Sequence, residues 1–181
     1  RWNVLREPYA GELVIPRKLR NRHHVHINRF AFESGRQLRL SSNFLSYGGC
    51  VATDIPAGLD AELATTIIAA WLVSSFGHVQ FELESNNREG LRTIEQADAE
   101  RIWVPDPRLI SLDGRRKIVD AFNALPFSVR TDLHPALQPE LVALDEAFAE
   151  ELASVFPGFN QRDGLTEVHE LLHDLHEARN P

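Results

Sequence analysis

Two imidazoles one helical turn apart with a carboxylate beside the first, His169-Glu170-Leu171-Leu172-His173, form the most enzyme-like pattern in this sequence. In such a spacing the two histidines can bind zinc while the glutamate serves as general base. His176 follows and adds a third imidazole. A zinc site also needs a ligand from outside that turn, and the extended form of the motif requires glycine at 176, where histidine stands. Beyond His176 only five residues remain, with Glu177 as the sole acid. Leu165, Val168, Leu171, Leu172 and Leu175 make an apolar stripe at helical spacing, and His169, His173 and His176 follow its flank at i, i+4 and i+7. That arrangement predicts a solvated flank of a terminal amphipathic helix. A zinc-dependent hydrolase using His169, Glu170 and His173 is therefore a second reading.

Other catalytic constellations are weaker. The sequence has no G-x-S-x-G, no P-loop and no G-x-G-x-x-G. Cys50 follows two glycines without partner chemistry, so a small buried hydrophobe is the expected role, and a single cysteine forms no internal disulfide. Glu82 and Glu84 would share one face of a strand, which carries little weight in a chain with 26 acids.

Charge is more informative. The net charge is −7, yet residues 1–50 carry nine Lys/Arg (Arg1, Arg6, Arg17, Lys18, Arg20, Arg22, Arg29, Arg36, Arg39) against three acids (Glu7, Glu12, Glu33), a net of +6. His23, His24 and His26 lie there too, and the other 131 residues hold 10 basic and 23 acidic side chains, a net of −13. A basic surface on an acidic body points to a polyanionic partner, and the densest part is Ile15-Pro16-Arg17-Lys18-Leu19-Arg20.

The elements that position these groups follow from apolar spacing. From Leu13 to about Asp54 the runs are short, with Val25, Ile27, Phe30 and Phe32 as strand residues and Leu38 and Leu40 alternating with Gln37 and Arg39. Pro8, Gly11, Pro16, Ser34-Gly35 and Gly48-Gly49 punctuate them. Asp60 suits an N-cap for a buried helix from Ala61 to about Phe76, with Gly77 past its end as a left-handed C-cap. His78 to Glu84 alternates apolar and polar residues and predicts a strand, Ser85 to Gly90 a loop, and Arg101 to Val104 another strand stopped by Pro105-Asp106-Pro107. Helical spacing then covers Asp113–Leu125, Glu140–Val155 and Leu165–Ala178. The expected fold is α+β: a mixed recognition domain of short strands with a buried helix over 1–108, then an α-helical tail over 109–181.

A 181-residue chain that is 43% hydrophobic can bury a core. It begins at Arg1 and contains no Met, which suggests a piece of a longer protein. No run reaches the roughly 18 to 20 apolar residues of a membrane span, and no signal peptide is visible. A cytoplasmic setting is expected.

Four pieces in order carry a resemblance: Ile15-Pro16-Arg17-Lys18-Leu19-Arg20; Leu40-Ser41-Ser42-Asn43-Phe44; Ala70-Trp71-Leu72-Val73-Ser74-Ser75-Phe76-Gly77; and Asn86-Asn87-Arg88-Glu89-Gly90-Leu91-Arg92-Thr93-Ile94-Glu95, leading to Ile102-Trp103-Val104-Pro105-Asp106-Pro107. Together they resemble the C-terminal target-recognition region of bacterial N6-adenine DNA methyltransferases of restriction-modification systems, which serve in phage defence. The pattern is also similar to the target-recognition domains of type I specificity subunits. The resemblance covers about residues 10 to 110. It implies a module that reads double-stranded DNA for an upstream methyltransferase domain, with S-adenosylmethionine as cofactor of the parent enzyme and no membrane. The Asn/Asp-Pro-Pro-aromatic catalytic motif of such enzymes is absent, since the chain has no Pro-Pro pair. A fragment without catalytic residues, cofactor or metal of its own is therefore expected.

Arg17, Lys18, Arg20 and Arg22 can neutralise phosphates. Ser41, Ser42 and Asn43 on one loop, and Asn86, Asn87, Arg88 and Arg92 on another, are candidates for reading base edges. Asn43 and Asn86-Asn87 suit ordinary turns equally well, and Arg92 also suits a bridge to a nearby acid. A protein–protein adaptor docking through the acidic helices is a third possibility.

Overall fold

The computed structural model describes residues 11–29, 43–47, 58–88 and 91–178. Its strands are short and antiparallel, as the punctuated sequence requires. β1 (Leu13–Pro16) lies between β4 (His26–Ile27) and β5 (Phe44–Tyr47), with Leu13 opposite both Ile27 and Tyr47. A second sheet runs β2 (Lys18–Leu19), β7 (Leu91–Thr93), β6 (Asn86–Arg88), and a third pairs β3 (Arg22–His23) with β8 (Val129–Arg130). The helices are α1 (Ala61–Val73), α2 (Ser75–Glu84), a single turn α3 (Gln96–Ala99), α4 (Leu112–Ala124), α5 (Pro139–Val155) and α6 (Gln161–Glu177). The fold is α+β, as expected.

Asp60 caps α1 as predicted, its carboxylate accepting from the Leu63 amide at 2.7 Å, and Gly58 before it takes φ 79°, where a side chain would be strained. α1 then ends earlier than its apolar spacing suggests. Ser74 leaves helical geometry (ψ 165°), closes α1 and caps α2, and the two helix axes differ by 66°. The segment His78 to Glu84, whose alternation predicts a strand, is the body of α2. The reason is that buried His78 and Glu82, one turn apart, face inward beside Phe81, while Leu83 is exposed. Polar residues thus occupy inward helical positions and disguise the period.

Gly77 is consequently not a C-cap. It lies in the first turn of α2 against the end of α1, where a Cβ would come within 2.6 Å of Leu72 Cα and would also strike the Trp71 carbonyl. Residues 101–104 do not form a strand either. The Trp103 amide donates to Gln80 Oε1 at 2.7 Å, and its carbonyl accepts from Trp71 Nε1 at 2.8 Å, so side chains take the place of a ladder. The loop expected at Ser85 to Gly90 contains β6. The strand residues Phe30, Phe32, Leu38 and Leu40, and Cys50, lie outside the described residues.

Of the three C-terminal helices, α4 and α5 match their spacing to within a residue at each end, while α6 begins about one turn earlier than expected, capped by Asn160. They pack on the rest of the chain: Ile67 of α1, Phe81 of α2, Ile118 of α4 and Leu144 and Phe148 of α5 share one buried cluster with Leu13 and Ile15 of β1. Trp71 stacks on Phe76 (centroids 5.1 Å apart) and meets Phe148 edge-on. Among the described residues no single helix is long and apolar enough to cross a membrane.

Candidate nucleic-acid interface

The basic segment is held by two different sheets. Lys18 and Leu19 pair with Thr93 and Arg92 of β7, and Arg22 and His23 pair with Arg130 and Val129 of β8. Between them the chain turns at Arg20 and Asn21. Leu19 and His23 are buried, while Lys18, Arg20 and Arg22 are exposed. Two inward anchors therefore present three cations outward.

What fixes that turn is Arg92. Its side chain is 5% exposed and forms an ion pair with buried Glu82 of α2. It also donates to the Arg20 carbonyl and, at 2.9 Å, to Thr131 Oγ1. Thr131 Oγ1 donates in turn to the Arg20 carbonyl at 3.1 Å, and its amide donates to the Asn21 carbonyl at 2.9 Å. Arg92, expected among the base readers, is thus withdrawn from the surface in this arrangement, and it positions the cationic turn instead. An arginine facing a carboxylate, a carbonyl and a hydroxyl oxygen supplies several directed donors at once.

The other candidates fall into place around the turn. Arg17 forms an ion pair with Glu95. Its backbone bridges two segments, its amide donating to the Asn43 carbonyl at 2.9 Å and its carbonyl accepting from the Ile94 amide at 2.9 Å. Asn43 is exposed at the start of β5. Asn86 is exposed and stands opposite Thr93, whose other neighbour is Lys18, so two loops far apart in sequence meet in one row of a sheet. Asn87 and Arg88 occupy β6 opposite Arg92 and Leu91. Ser41 and Ser42 lie outside the described residues.

Sequence reasoning missed the aromatic edge of this surface. Phe127, in the loop between α4 and β8, is 81% exposed. It stacks on His24 (5.9 Å, 24° between planes) and leans on His26 (5.4 Å). Both imidazoles titrate below the ordinary histidine range, mainly because partial burial disfavours their charge; each imidazole of this pair also sits 4.9 Å from the other. Beside Phe127, Ser128 accepts from Arg22 at 3.3 Å. The available signal was Phe127 following Pro126, outside the apolar register of α4.

A family model for the specificity domain of restriction endonuclease BpuSI matches residues 5–131, which include every group described above. The chain belongs to this family. Comparison with curated proteins and with solved structures gave no match. The restriction-endonuclease specificity family agrees with the resemblance drawn from residues 10 to 110, and it extends past α4 to the end of β8.

The His-Glu-x-x-His pattern lies beyond that match. His169 does not face water as its helical register suggested: it is 12% exposed, and its Nε2 meets Asp145 Oδ2 at 2.8 Å. Asp145, fully buried on α5, accepts from the Ser75 amide at the start of α2 with its other oxygen, at 2.8 Å. His169 thus helps fasten α6 to α5 and α2. His173 is exposed, 5.1 Å from the His134 ring and 3.5 Å from Glu177. Desolvation first, then neighbouring His173 and His169, hold His134 below the usual histidine pKa. Among the described residues no three or more His, Cys, Asp or Glu side chains are arranged to hold a metal. The zinc-hydrolase reading is not favoured.

Proposed function

We propose that this chain reads a sequence in duplex DNA for a restriction-modification enzyme whose catalytic groups lie elsewhere in the parent protein. The observation that carries this reading is the outward row Lys18, Arg20 and Arg22, fixed from beneath by the Arg92–Glu82 pair and bordered by exposed Asn43 and Asn86. Cations on a rigid turn neutralise phosphates and set register, while the polar residues beside them supply groups able to meet base edges. Duplex DNA is the partner this combination suits best, since the cations meet phosphates while the neighbouring amides meet base edges.

In its finer form the proposal makes the parent an N6-adenine DNA methyltransferase of the bacterial cytoplasm, acting in phage defence together with an upstream catalytic domain. S-adenosylmethionine would be bound by that domain, since the present chain has no Pro-Pro pair and hence no Asn/Asp-Pro-Pro-aromatic motif. The role left to this chain is binding and orientation of DNA.

The test is fluorescence anisotropy of a labelled duplex across a salt series. Wild-type binding is expected to weaken steeply with salt. Lys18→Glu, Arg20→Glu and Arg22→Glu together should abolish it at moderate salt. Single changes to alanine should each lower the slope of log affinity against log salt by about 0.9 for every phosphate no longer neutralised. Unchanged binding by the triple variant would move the interface away from this turn.

A further inference from the structure

Resting on that reading of the cationic turn, we propose that Phe127 is a stacking wedge: its ring inserts at a base step, or receives an unstacked base, where DNA lies along Lys18, Arg20 and Arg22. The ring is 81% exposed, whereas Val129, two residues later at the start of β8, is buried. It is also held, not loose. His24 stacks on it at 24° and His26 supports its side at 5.4 Å, leaving the rest of the ring open. The β3–β8 ladder fixes the loop on the cationic side, with Arg22 opposite Arg130 and Arg22 donating to Ser128, the residue next to Phe127.

A braced aromatic ring beside phosphate-binding cations fits a nucleic acid better than a protein surface. Apolar side chains that enter base steps offset local unstacking with interactions along the bent duplex, and every base offers a π-face to an aromatic ring. The neutral imidazoles matter here. Because His24 and His26 titrate below their ordinary value, they are uncharged near neutral pH and provide flat backing to Phe127.

The experiment compares the full chain with Phe127→Ala and Phe127→Trp on a duplex enriched from a random-sequence pool by the wild-type chain and carrying 2-aminopurine at successive positions. Phe127→Ala should weaken binding by about 5- to 150-fold, the range for removing one stacked base. The salt slope should not change, because the same phosphates remain neutralised. Phe127→Trp should restore binding, and the wild type but not Phe127→Ala should raise 2-aminopurine fluorescence at one step. Thermal midpoints should agree among all three proteins. Equal affinity of Phe127→Ala and wild type would overturn the wedge while leaving the DNA-reading role standing. So would a loss of affinity that comes with a changed salt slope or a lowered thermal midpoint. Failure of the wild type to enrich any duplex would instead remove the DNA-reading role, and the wedge with it.

Discussion

At the scale of single residues, the decisive group is one whose charge never reaches solvent. Arg92 exchanges water for Glu82, Thr131 and the Arg20 carbonyl, and a buried ion pair of this kind is costly to break from one side. Arg92→Leu should destabilise the chain by about 3–5 kcal/mol, because it leaves Glu82 charged and enclosed. Glu82→Leu made together with Arg92→Leu should recover a large part of that loss. Denaturant unfolding of the two variants checks this, and an Arg92→Leu protein within about half a kcal/mol of wild type, the usual range for surface changes, would contradict the pairing. The residue types here are legible in the sequence, but their partners are not. Arg92 resembles a base reader because its sequence neighbours are polar and the segment from Asn86 has the composition of a loop. Its burial depends on Glu82 and Thr131, 10 and 39 residues away, which no local spacing reveals.

At the scale of elements, the break between α1 and α2 decides the shape of the whole helical layer. The Ser74 amide donates to the Ala70 carbonyl at 2.9 Å as α1 ends, and the Ser74 carbonyl accepts from His78 as α2 begins. Asp145 adds a carboxylate at the α2 N-terminus, where the helix dipole favours negative charge. Gly77 permits the bend by leaving room for Leu72. Helix propensity and packing make opposite predictions for Gly77→Ala. Propensity alone predicts a gain of about 1 kcal/mol. The close backbone approach predicts a loss of about 1–3 kcal/mol, as for other overpacked sites, and the loss is expected. A stabilised Gly77→Ala protein in thermal unfolding would show that the α1–α2 junction is not closely packed. The end helices are readable because the apolar residues of α4 to α6 keep an unbroken helical spacing, even though Arg115, Asp145 and His169 turn inward among them. α2 is not, because His78 and Glu82 interrupt that spacing and leave Val79, Phe81 and Leu83 spaced like a strand.

At the scale of the molecule, the β-rich basic part and the helical acidic part are joined through groups that must stay neutral. His23 of β3 donates from Nε2 to the Leu72 carbonyl of α1 at 2.9 Å, and its ring meets His78 (4.2 Å) and Phe81 (4.6 Å) of α2. Burial is the main reason that the His23 pKa falls to about 3; Arg92 and His24 push it the same way, and the Leu72 carbonyl opposes them. Burial likewise holds His78 well below its ordinary value, with His23, Arg92 and His176 adding to the effect. The unfolded chain takes up these protons near pH 6.5, while the folded chain resists until far lower pH. Stability is therefore complete above about pH 6.5 and is lost progressively as pH falls toward 3. For His23 alone the loss by pH 5 is about 2 kcal/mol, and His78 adds to it. His23 lies next to Arg22 of the cationic turn, so acid should loosen that turn before the α4–α5 pairing. Denaturant unfolding at pH 7.5 and pH 5 measures the first effect, and amide exchange in β3 and α2 against α4 and α5 measures the second. A stability that does not change over this interval would mean that His23 and His78 are reached by water, and the join would have to rest on the Arg92–Glu82 pair and the apolar cluster around Leu13 and Ile15.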